Sequence, residues 1–466
     1  MVSSGNLPDA IWMDRGADNA KLAGLGLLAD LAPLKANNPD YDNNVAASTQ
    51  EFLKVNGVLY GIPNWSRKAA TGGNELWMYD QRIYTQAGSP SFTTFNDLYN
   101  YAKYVKDNIP KTAEGADVVP MLFDNAGGDC LKLIGGFARS FGSPNLSGWY
   151  TRIDGKLQMF LRSPIVVQAL LEANKWYRDG LIQMATLTDT HDQMVEKQVG
   201  GRAALQYYDF SQDDSTRFRL GLIEAHPDDN YVIIDNTADT TAKGIYLPAD
   251  GVNYVYADTD GTVGWNVSCI FNNCQNKQRI FDMISYLLTK EGSILTMYGP
   301  QGDNWDTLDA NGIPQLKTPE SQQTSDEKTR LGVWNWMIAG QSDNIDTIKF
   351  AVNNALPADL QSWVITNQQK ITTPLKAAAG LTDEYNNLSL CIDSISDLGV
   401  QRQLCEDTLK AGMAKIITAA TADDAQKQIN DLITFCDANG MKDVEAAYDQ
   451  VYQANCAMQG GTVFNK

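Results

Sequence analysis

Residues 75–106 read ELWMYDQRIYTQAGSPSFTTFNDLYNYAKYVK, and their pattern sets the fold class. Glu75-Leu76-Trp77-Met78-Tyr79 supplies the large apolar and aromatic types that suit a pleated, buried strand. Asp80 then opens a polar helix start. Over 94–108 the period lengthens to that of a helix, with Leu98, Tyr101, Ala102 and Val105 on one face. Thr94 precedes the run and Asp97 stands three residues on, the spacing of a capping box. A strand followed by a capped amphipathic helix is the repeating unit of an α/β protein.

The alternation continues on both sides. Upstream, QEFLKVNGVLYGIP (50–63) contains Asn56-Gly57, which tolerates the positive φ of a tight reversal, and Val58-Leu59-Tyr60 follows as a strand. Further back, Leu7-Pro8-Asp9 introduces Ala10-Ile11-Trp12-Met13, read as a short buried strand that enters a fold already under way. Downstream, Ser163-Pro164 opens a helix whose face comprises Val166, Leu170, Ala173 and Tyr177, with Gly180 as its left-handed stop. Gly200-Gly201 reads as a turn into a buried strand reaching Tyr207-Tyr208, and GWNVSCIFN (264–272) as another strand. A helix over 277–290 turns Ile280, Ile284, Leu287 and Leu288 inward, with Gly292 beyond its end. From about residue 357 strand signals fade. Thr421 and Asp424 begin a helix lined by Ile429, Leu432, Ile433 and Cys436 and closed by Gly440, and another follows over 441–454. Neither tandem repeats nor a low-complexity linker occur, so any separate lobes must connect by short crossings.

Composition narrows the function classes. In 466 residues, 43% are hydrophobic and 20% charged, enough for a packed core. Acids outnumber bases by 56 to 37, and the formal charge of −19 argues against nucleic acid or an anionic membrane face as partner. No apolar run nears the roughly twenty residues that span a bilayer. Two histidines, His191 and His226, leave little room for histidine-based metal sites or triads. The seven cysteines form no C-x-x-C pair, and the odd number leaves at least one thiol free. Cys269 and Cys274 are close enough to bridge, but nothing requires it. Asp258-Thr-Asp260-Gly261 and the Asp306, Asp309, Asn311, Gly312 run resemble pieces of calcium loops without the twelfth-position Glu, so solvated turns are expected. Gly135-Gly136 and Gly200-Gly201 read as turns rather than phosphate cradles. No G-x-S-x-G, Walker loop or H-E-x-x-H occurs, and neither cofactor nor metal is expected.

Eight segments carry a family likeness: LPDAI, VNGVLYGIP, the 75–106 stretch, GGFARSFG, DGK (154–156), WYRDGLI, GGRAAL and YLLTKEGSILTMYGPQGDNW. In that order they resemble extracellular solute-binding protein family 1 of bacterial ABC importers, the maltose-binding-like group. The final stretch, IITAATADDAQKQINDLITFCDANGMKDVEAAYDQVYQA, is similar to the helical tail of its large, lipoprotein-type oligosaccharide-binding branch in Gram-positive bacteria. The resemblance implies a two-lobed, type II periplasmic-binding-protein-like α/β fold with hinge crossings and a C-terminal helical extension. It puts 1–118 and 263–312 in lobe 1, and 119–262 and 313–466 in lobe 2. It also implies an export signal, a lipid-anchoring cysteine and a first strand and helix ahead of LPDAI, none of which stands in the sequence as given.

The implied partners are a carbohydrate ligand and ABC transporter permease subunits, with the binding protein a monomer. Sugars present apolar C–H faces and a rim of hydroxyls, so aromatic rings pack on the faces while amides and carboxylates bond the rim. Ten Trp and twenty Tyr, several beside turns or strand ends, fit that chemistry. Location selects Trp12 and Asp14 at the end of the first strand, where ligands of α/β sheets lie. Asn64 and Trp65 follow the YGIP strand. Asp124 and Asn125 stand at an expected crossing, Tyr207, Tyr208 and Asp209 follow GRAALQ, Trp265 lies near the return crossing, and Trp305 follows YGPQGDN. Trp77 and Trp176 are expected in core faces; of Trp334 and Trp336, one faces the cleft. The rival readings are a glycan-active enzyme, a binder of peptides or other polar solutes, and a degenerate paralogue that binds nothing.

Overall fold

The computed structural model describes residues 6–68, 71–72, 75–143, 146–209, 221–234, 259–319, 322–324, 326–327, 338–375 and 383–458. Its frame is built from β1 (Ala10–Asp14), β2 (Gly61–Pro63), β3 (Thr71–Gly72), β4 (Glu75–Asp80), β5 (Val119–Phe123), β6 (Ala203–Asp209), β7 (Tyr231–Ile233), β8 (Thr259–Asp260) and β9 (Asn266–Ile270). Two sheets divide the molecule into two α/β lobes. The first has the order β1-β9-β2, antiparallel throughout. The second has the order β7-β4-β6-β5, with β6 and β5 parallel. Between the sheets run β3 and β8, paired antiparallel through Gly72 with Thr259 and Thr71 with Asp260. This two-stranded ladder is the hinge crossing.

Strand β9 is buried at every position because it is central in its sheet and covered on both faces. Met13, Leu31, Tyr41, Ile62, Val267, Phe281 and Ile284 share its core. Strand β1 departs from expectation: only Met13 is buried, while Trp12 is 44% exposed, since β1 is an edge strand with a neighbour on one side. The second sheet has a core on each face. Trp77, Phe95, Phe137, Trp176 and Tyr207 pack on one side, and Leu76, Met78, Leu122 and Tyr208 on the other. Period-2 alternation along β4 and β6 sends neighbours to opposite cores.

The capping box of Thr94 and Asp97 is present on the helix Phe95–Asn108, and Ser163 caps Pro164–Arg178, which Gly180 follows at φ 75°. Asn56 and Gly57 turn the 54–59 hairpin at φ 51° and 81°. The helix expected over 277–290 ends at Tyr286; Gly292 lies in the first turn of the next helix, Lys290–Tyr298, which Thr289 caps. Gly135 and Gly136 are helical, inside Leu131–Ser140, and not a turn. A Cβ on Gly136 would stand 3.0 Å from the Tyr207 ring, so glycine there lets strand and helix close up.

Strand pairing corrects the lobe boundaries. Residues 75–118 belong to the second lobe, not the first, because β4 bonds to β6 and β7 and its flanking helix packs on β5 and β6. Residues 338–354 return to the first lobe: Ser342 N–H bonds the Ser66 carbonyl, and Asn344 bonds Asn44 and the Leu288 carbonyl. The C-terminal helices Asp397–Ile417, Ala422–Ala438 and Met441–Met458 join the second lobe's core through Leu409, Met413, Ile416, Ile429, Cys436 and Tyr448. All seven cysteines are free thiols, with Cys391 the exposed one. Among the described residues no helix is long and apolar enough to cross a membrane.

Candidate functional site

Antiparallel register brings four sequence-distant segments together at one end of the first sheet. Asp14 pairs with Asn266, Pro63 pairs with Val267, and Asn64 donates its backbone N–H to the Asn266 carbonyl while its side-chain Oδ1 accepts from Asn266 N. Arg15 N–H bonds the Trp265 carbonyl at 3.1 Å, and Arg67 N–H bonds the Thr262 carbonyl at 3.0 Å. Asp14, Asn64, Trp65 and Trp265 therefore share one sheet end, although Trp65 and Trp265 are two hundred residues apart by number, while Trp12 lies two residues back, in mid-strand opposite Ser268. Trp265 is 49% exposed and Trp12 44%, large apolar surfaces held out into solvent.

Trp65 is half-buried and its ring is committed to cations: the Arg67 guanidinium lies 5.3 Å from the ring centroid and Lys349 Nζ 6.0 Å. Gly264 makes this loop possible. Its N–H bonds the Trp65 carbonyl at 2.7 Å, and a Cβ there would fall 2.6 Å from both Asn64 Oδ1 and Trp65 Cβ. Gly264→Ala is therefore expected to lower the melting temperature by several degrees, of the order of 1–3 kcal/mol of overpacking. An unchanged midpoint would mean that the loop relaxes freely.

Arg15 and Asp383 link this end to the segment leading into the C-terminal helices. Asp383 accepts from Thr262 N (2.8 and 3.0 Å) and Thr262 Oγ1 (2.7 Å). Burial lowers the Arg15 pKa from its ordinary value, against the opposing charges of Asp383 and Asp14.

The second sheet presents a charged end. Glu75 opens β4 opposite Asp209 of β6, and Lys132 and Arg139 reach Glu75 at 3.4 and 3.8 Å. Lys132 Nζ lies 5.4 Å from the Tyr208 ring centroid. Asp124 Oδ1 accepts from Ala126 N, and its Oδ2 lies 3.2 Å from His191 Nδ1. Glu75 stands three residues past β3, and Thr262 two residues past β8, so both sheet ends border the hinge ladder.

Other candidates are brought elsewhere. Tyr207 and Tyr208, 0% and 1% exposed, lie within the strand rather than after it, each in one of the lobe's two cores. Tyr207 meets Trp77 edge-on at 5.3 Å and accepts a hydrogen bond from Arg139. Asn125 is spent on a loop: Nδ2 donates to the Leu187 carbonyl and Oδ1 accepts from Cys130 N, both at 2.8 Å. Trp305 packs with Ile294, Tyr298 and Ile348, its Nε1 donating to the Gly299 carbonyl at 2.9 Å. Trp77 and Trp176 are fully buried. The Asp209 side chain, Asp258, the Asp260 side chain, Trp334 and Trp336 lie outside the described residues. Asp309 turns the 305–316 hairpin by accepting from Asn311 N and Ile313 N, while Asp306 pairs with Lys317. Among the described residues no group of three or more His, Cys, Asp or Glu is placed to hold a metal ion.

Arg15, Arg67, Asn266 and Lys349 escaped the sequence reading. Arg15 and Arg67 adjoin Asp14 and Trp65, so extending each strand end by one or two residues finds them; nothing local marks Lys349 or Asp383.

No family model and no curated protein matches the sequence. Solved structures do match its fold. The chain is similar to the alginate-binding protein AlgQ2, at TM-score 0.66 and 15% identity, covering 97% of this chain and 87% of that one. It is similar to the solute-binding protein of a human-milk-oligosaccharide ABC transporter from Bifidobacterium longum infantis, at 0.64, 16%, 97% and 88%. It is also similar to the ABC-transporter substrate-binding protein FusA of S. pneumoniae in complex with kestose, at 0.67, 14%, 98% and 89%. At such identities the likeness establishes the two-lobed solute-binding-protein fold.

Proposed function

We propose that this chain is the extracellular substrate-binding component of an ABC importer. It captures an oligosaccharide between its lobes and delivers it, by hinge closure, to permease subunits in the membrane. The observation that carries the reading is the exposure of two indoles on the first sheet, Trp12 in the edge strand β1 and Trp265 just ahead of β9, on the side that leads to the hinge ladder. Rings in that position suit the C–H face of a pyranose, and the amide and charged groups around them suit its hydroxyls. The neighbours add support, since those named above bind alginate, milk oligosaccharides and kestose. The protein acts as a monomer, anchored at the cell surface by lipid, and it is a receptor rather than an enzyme.

Thermal-shift and calorimetric titration against a panel of oligosaccharides tests this. One class should raise the melting temperature and be recovered intact by chromatography; released products would favour a glycan-cleaving enzyme instead. Stabilisation by peptides and by no sugar would move the ligand class.

Trp265→Ala should weaken the stabilising sugar by about 1 kcal/mol or more, roughly fivefold upward, with folding intact. Tyr208→Ala should instead cost about 3 kcal/mol of folding stability, because its ring is sealed in a core. Chemical denaturation beside calorimetry separates the two. A Trp265→Ala protein that binds as tightly as the parent would remove the indole from the site.

A further inference from the structure

We infer that Cys405 and Cys436 form a disulfide site that staples the helix Asp397–Ile417 to the helix Ala422–Ala438, with an external disulfide of the glutathione class as the oxidant. The site is independent of the ligand: it fastens the helical extension and not the cleft.

The two thiols face each other across a close helix pair. Both cysteines are 0% exposed, and their side chains hydrogen-bond to one another. Cys405 Sγ also lies 3.8 Å from the Cys436 carbonyl oxygen and 3.6 Å from that of Asn439. Close approaches bracket the pair on both sides. A Cβ on Gly440 would fall 2.3 Å from Gln401 Oε1, and one on Gly412 2.5 Å from Leu432 Cδ1. Gln401 with Gly440, Cys405 with Cys436 and Gly412 with Leu432 follow one another in antiparallel order, so the cysteines occupy facing positions between two places where the helices touch. Sulfurs in contact on facing helices need only a short approach to reach the roughly 2 Å of a bond. Other thiols are engaged with oxygen: Cys269 donates to Asn19 Oδ1 at 3.6 Å, and Cys391 to the Leu388 carbonyl at 3.1 Å.

The chemistry is thiol–disulfide exchange. One protein thiolate attacks a sulfur of oxidised glutathione, breaking its S–S bond and releasing one glutathione thiolate. The second protein thiolate then attacks the protein sulfur of that mixed disulfide and releases the other glutathione. Two cysteines are oxidised, one glutathione disulfide is reduced, and the two cysteine protons pass to the departing thiolates. Burial raises the pKa of both thiols, that of Cys436 to about 12, so thiolate is scarce once the helices are packed. The bond therefore forms as the helices dock, before water is expelled. Closing a loop of about thirty residues removes freedom from the unfolded chain and so favours the folded one. An oxidising exterior, where the proposed receptor works, preserves such a bond.

The test uses the full chain, reduced in urea and refolded by dilution into either reduced or oxidised glutathione. A second sample stays folded and meets oxidised glutathione in urea below the unfolding midpoint, so the comparison stands whatever the refolding yield. Free thiols are then alkylated, and peptides are mapped by mass spectrometry without reduction. The oxidised protein should show a peptide pair joined through Cys405 and Cys436, and two fewer alkylated thiols than the seven of the reduced chain. Its melting temperature should rise by roughly 3 °C or more, and Cys405→Ser should abolish both the link and the rise. The map of the parent protein needs no variant to fold. Seven alkylated thiols in both oxidised samples would overturn the inference. So would glutathione adducts on the two cysteines without a link, or a link elsewhere, such as Cys269 with Cys274, in place of this one. A bond between Cys405 and Cys436 that leaves the melting temperature unchanged or lower would overturn its role as a staple. Each of these results leaves the carbohydrate receptor standing.

Discussion

Arg162→Ala is expected to destabilise the protein by about 3 kcal/mol and to loosen the last two helices from the second lobe. Arg162 Nε bonds Glu445 Oε1 at 2.6 Å, and its Nη2 pairs with Asp437. Glu445 Oε1 also accepts from Met159 N at 2.7 Å, so one guanidinium ties the 156–162 segment to two C-terminal helices. Side-chain exposures of 18% for Arg162 and 11% for Glu445 put the pair mostly out of water. Removing one partner strands the other as an uncompensated charge, which costs more than the pair itself contributes. Burial works to lower the Arg162 pKa, but its hydrogen bonds to Asp437 and Glu445 and their charges outweigh it and hold it above the ordinary value, while the Asp437 carboxyl is held below its own. Arg162→Lys should recover only part of the loss, because an ammonium serves both acids less well than a planar fork. Urea denaturation followed by far-UV circular dichroism measures the loss, and hydrogen exchange over 437–458 locates it. A midpoint within error of the parent would show the helices held by apolar packing alone.

What the sequence announced, and what it hid, follows from the range over which each feature is decided. Capping boxes, the Asn56-Gly57 turn and the Gly180 stop depend on four or five neighbouring residues, and each stands where its spacing puts it. Lobe membership is decided by pairing between residues more than a hundred apart. The β4 register, Leu205 with Tyr79 and Tyr208 with Leu76, leaves no trace in the local pattern of 75–80. Strand ends are similarly elusive. Tyr207 and Tyr208 look like residues after a strand, but β6 runs to Asp209 because both faces of its sheet are covered. Continuous burial removes the alternation that would have marked the edge. Strand-end logic places Trp65 just after β2 and Trp265 just before β9, whereas Trp12 lies in the middle of β1. Trp305 shows the limit of that logic: a loop tryptophan with a satellite core of its own, Ile294, Tyr298, Ile313, Ile348 and Val352, packs there instead of at the cleft.

Asp80 supplies the second large effect, a loss of stability as pH rises. It is fully buried at the end of β4, where Oδ1 caps the next helix by accepting from Ile83 N at 2.9 Å. Asp229, 3% exposed, lies beside it and accepts from Arg82 N and Asn230 N. Arg82 Nε is 2.8 Å from Asp229 Oδ2, and its Nη1 reaches His226 Nδ1 and Glu114 at 3.1 and 3.3 Å. Tyr101 and Tyr231 face the same pair. Burial first, and the neighbouring Asp229 charge second, raise the Asp80 pKa far above the usual carboxylate range, with Arg82 opposing too weakly to reverse it. The folded protein therefore keeps a proton on Asp80 that the unfolded chain releases near pH 4. Stability from this site is complete below that value and is lost as pH climbs toward the raised one, by up to about 1.4 kcal/mol per pH unit. Asp80→Asn keeps the helix cap and mimics the protonated acid, so it should match the parent at or below about pH 4 and exceed it increasingly toward pH 8. His226→Gln, made in both backgrounds, controls for the imidazole beside Arg82. Parallel pH profiles of urea midpoints for parent and Asp80→Asn would place the proton elsewhere in the cluster.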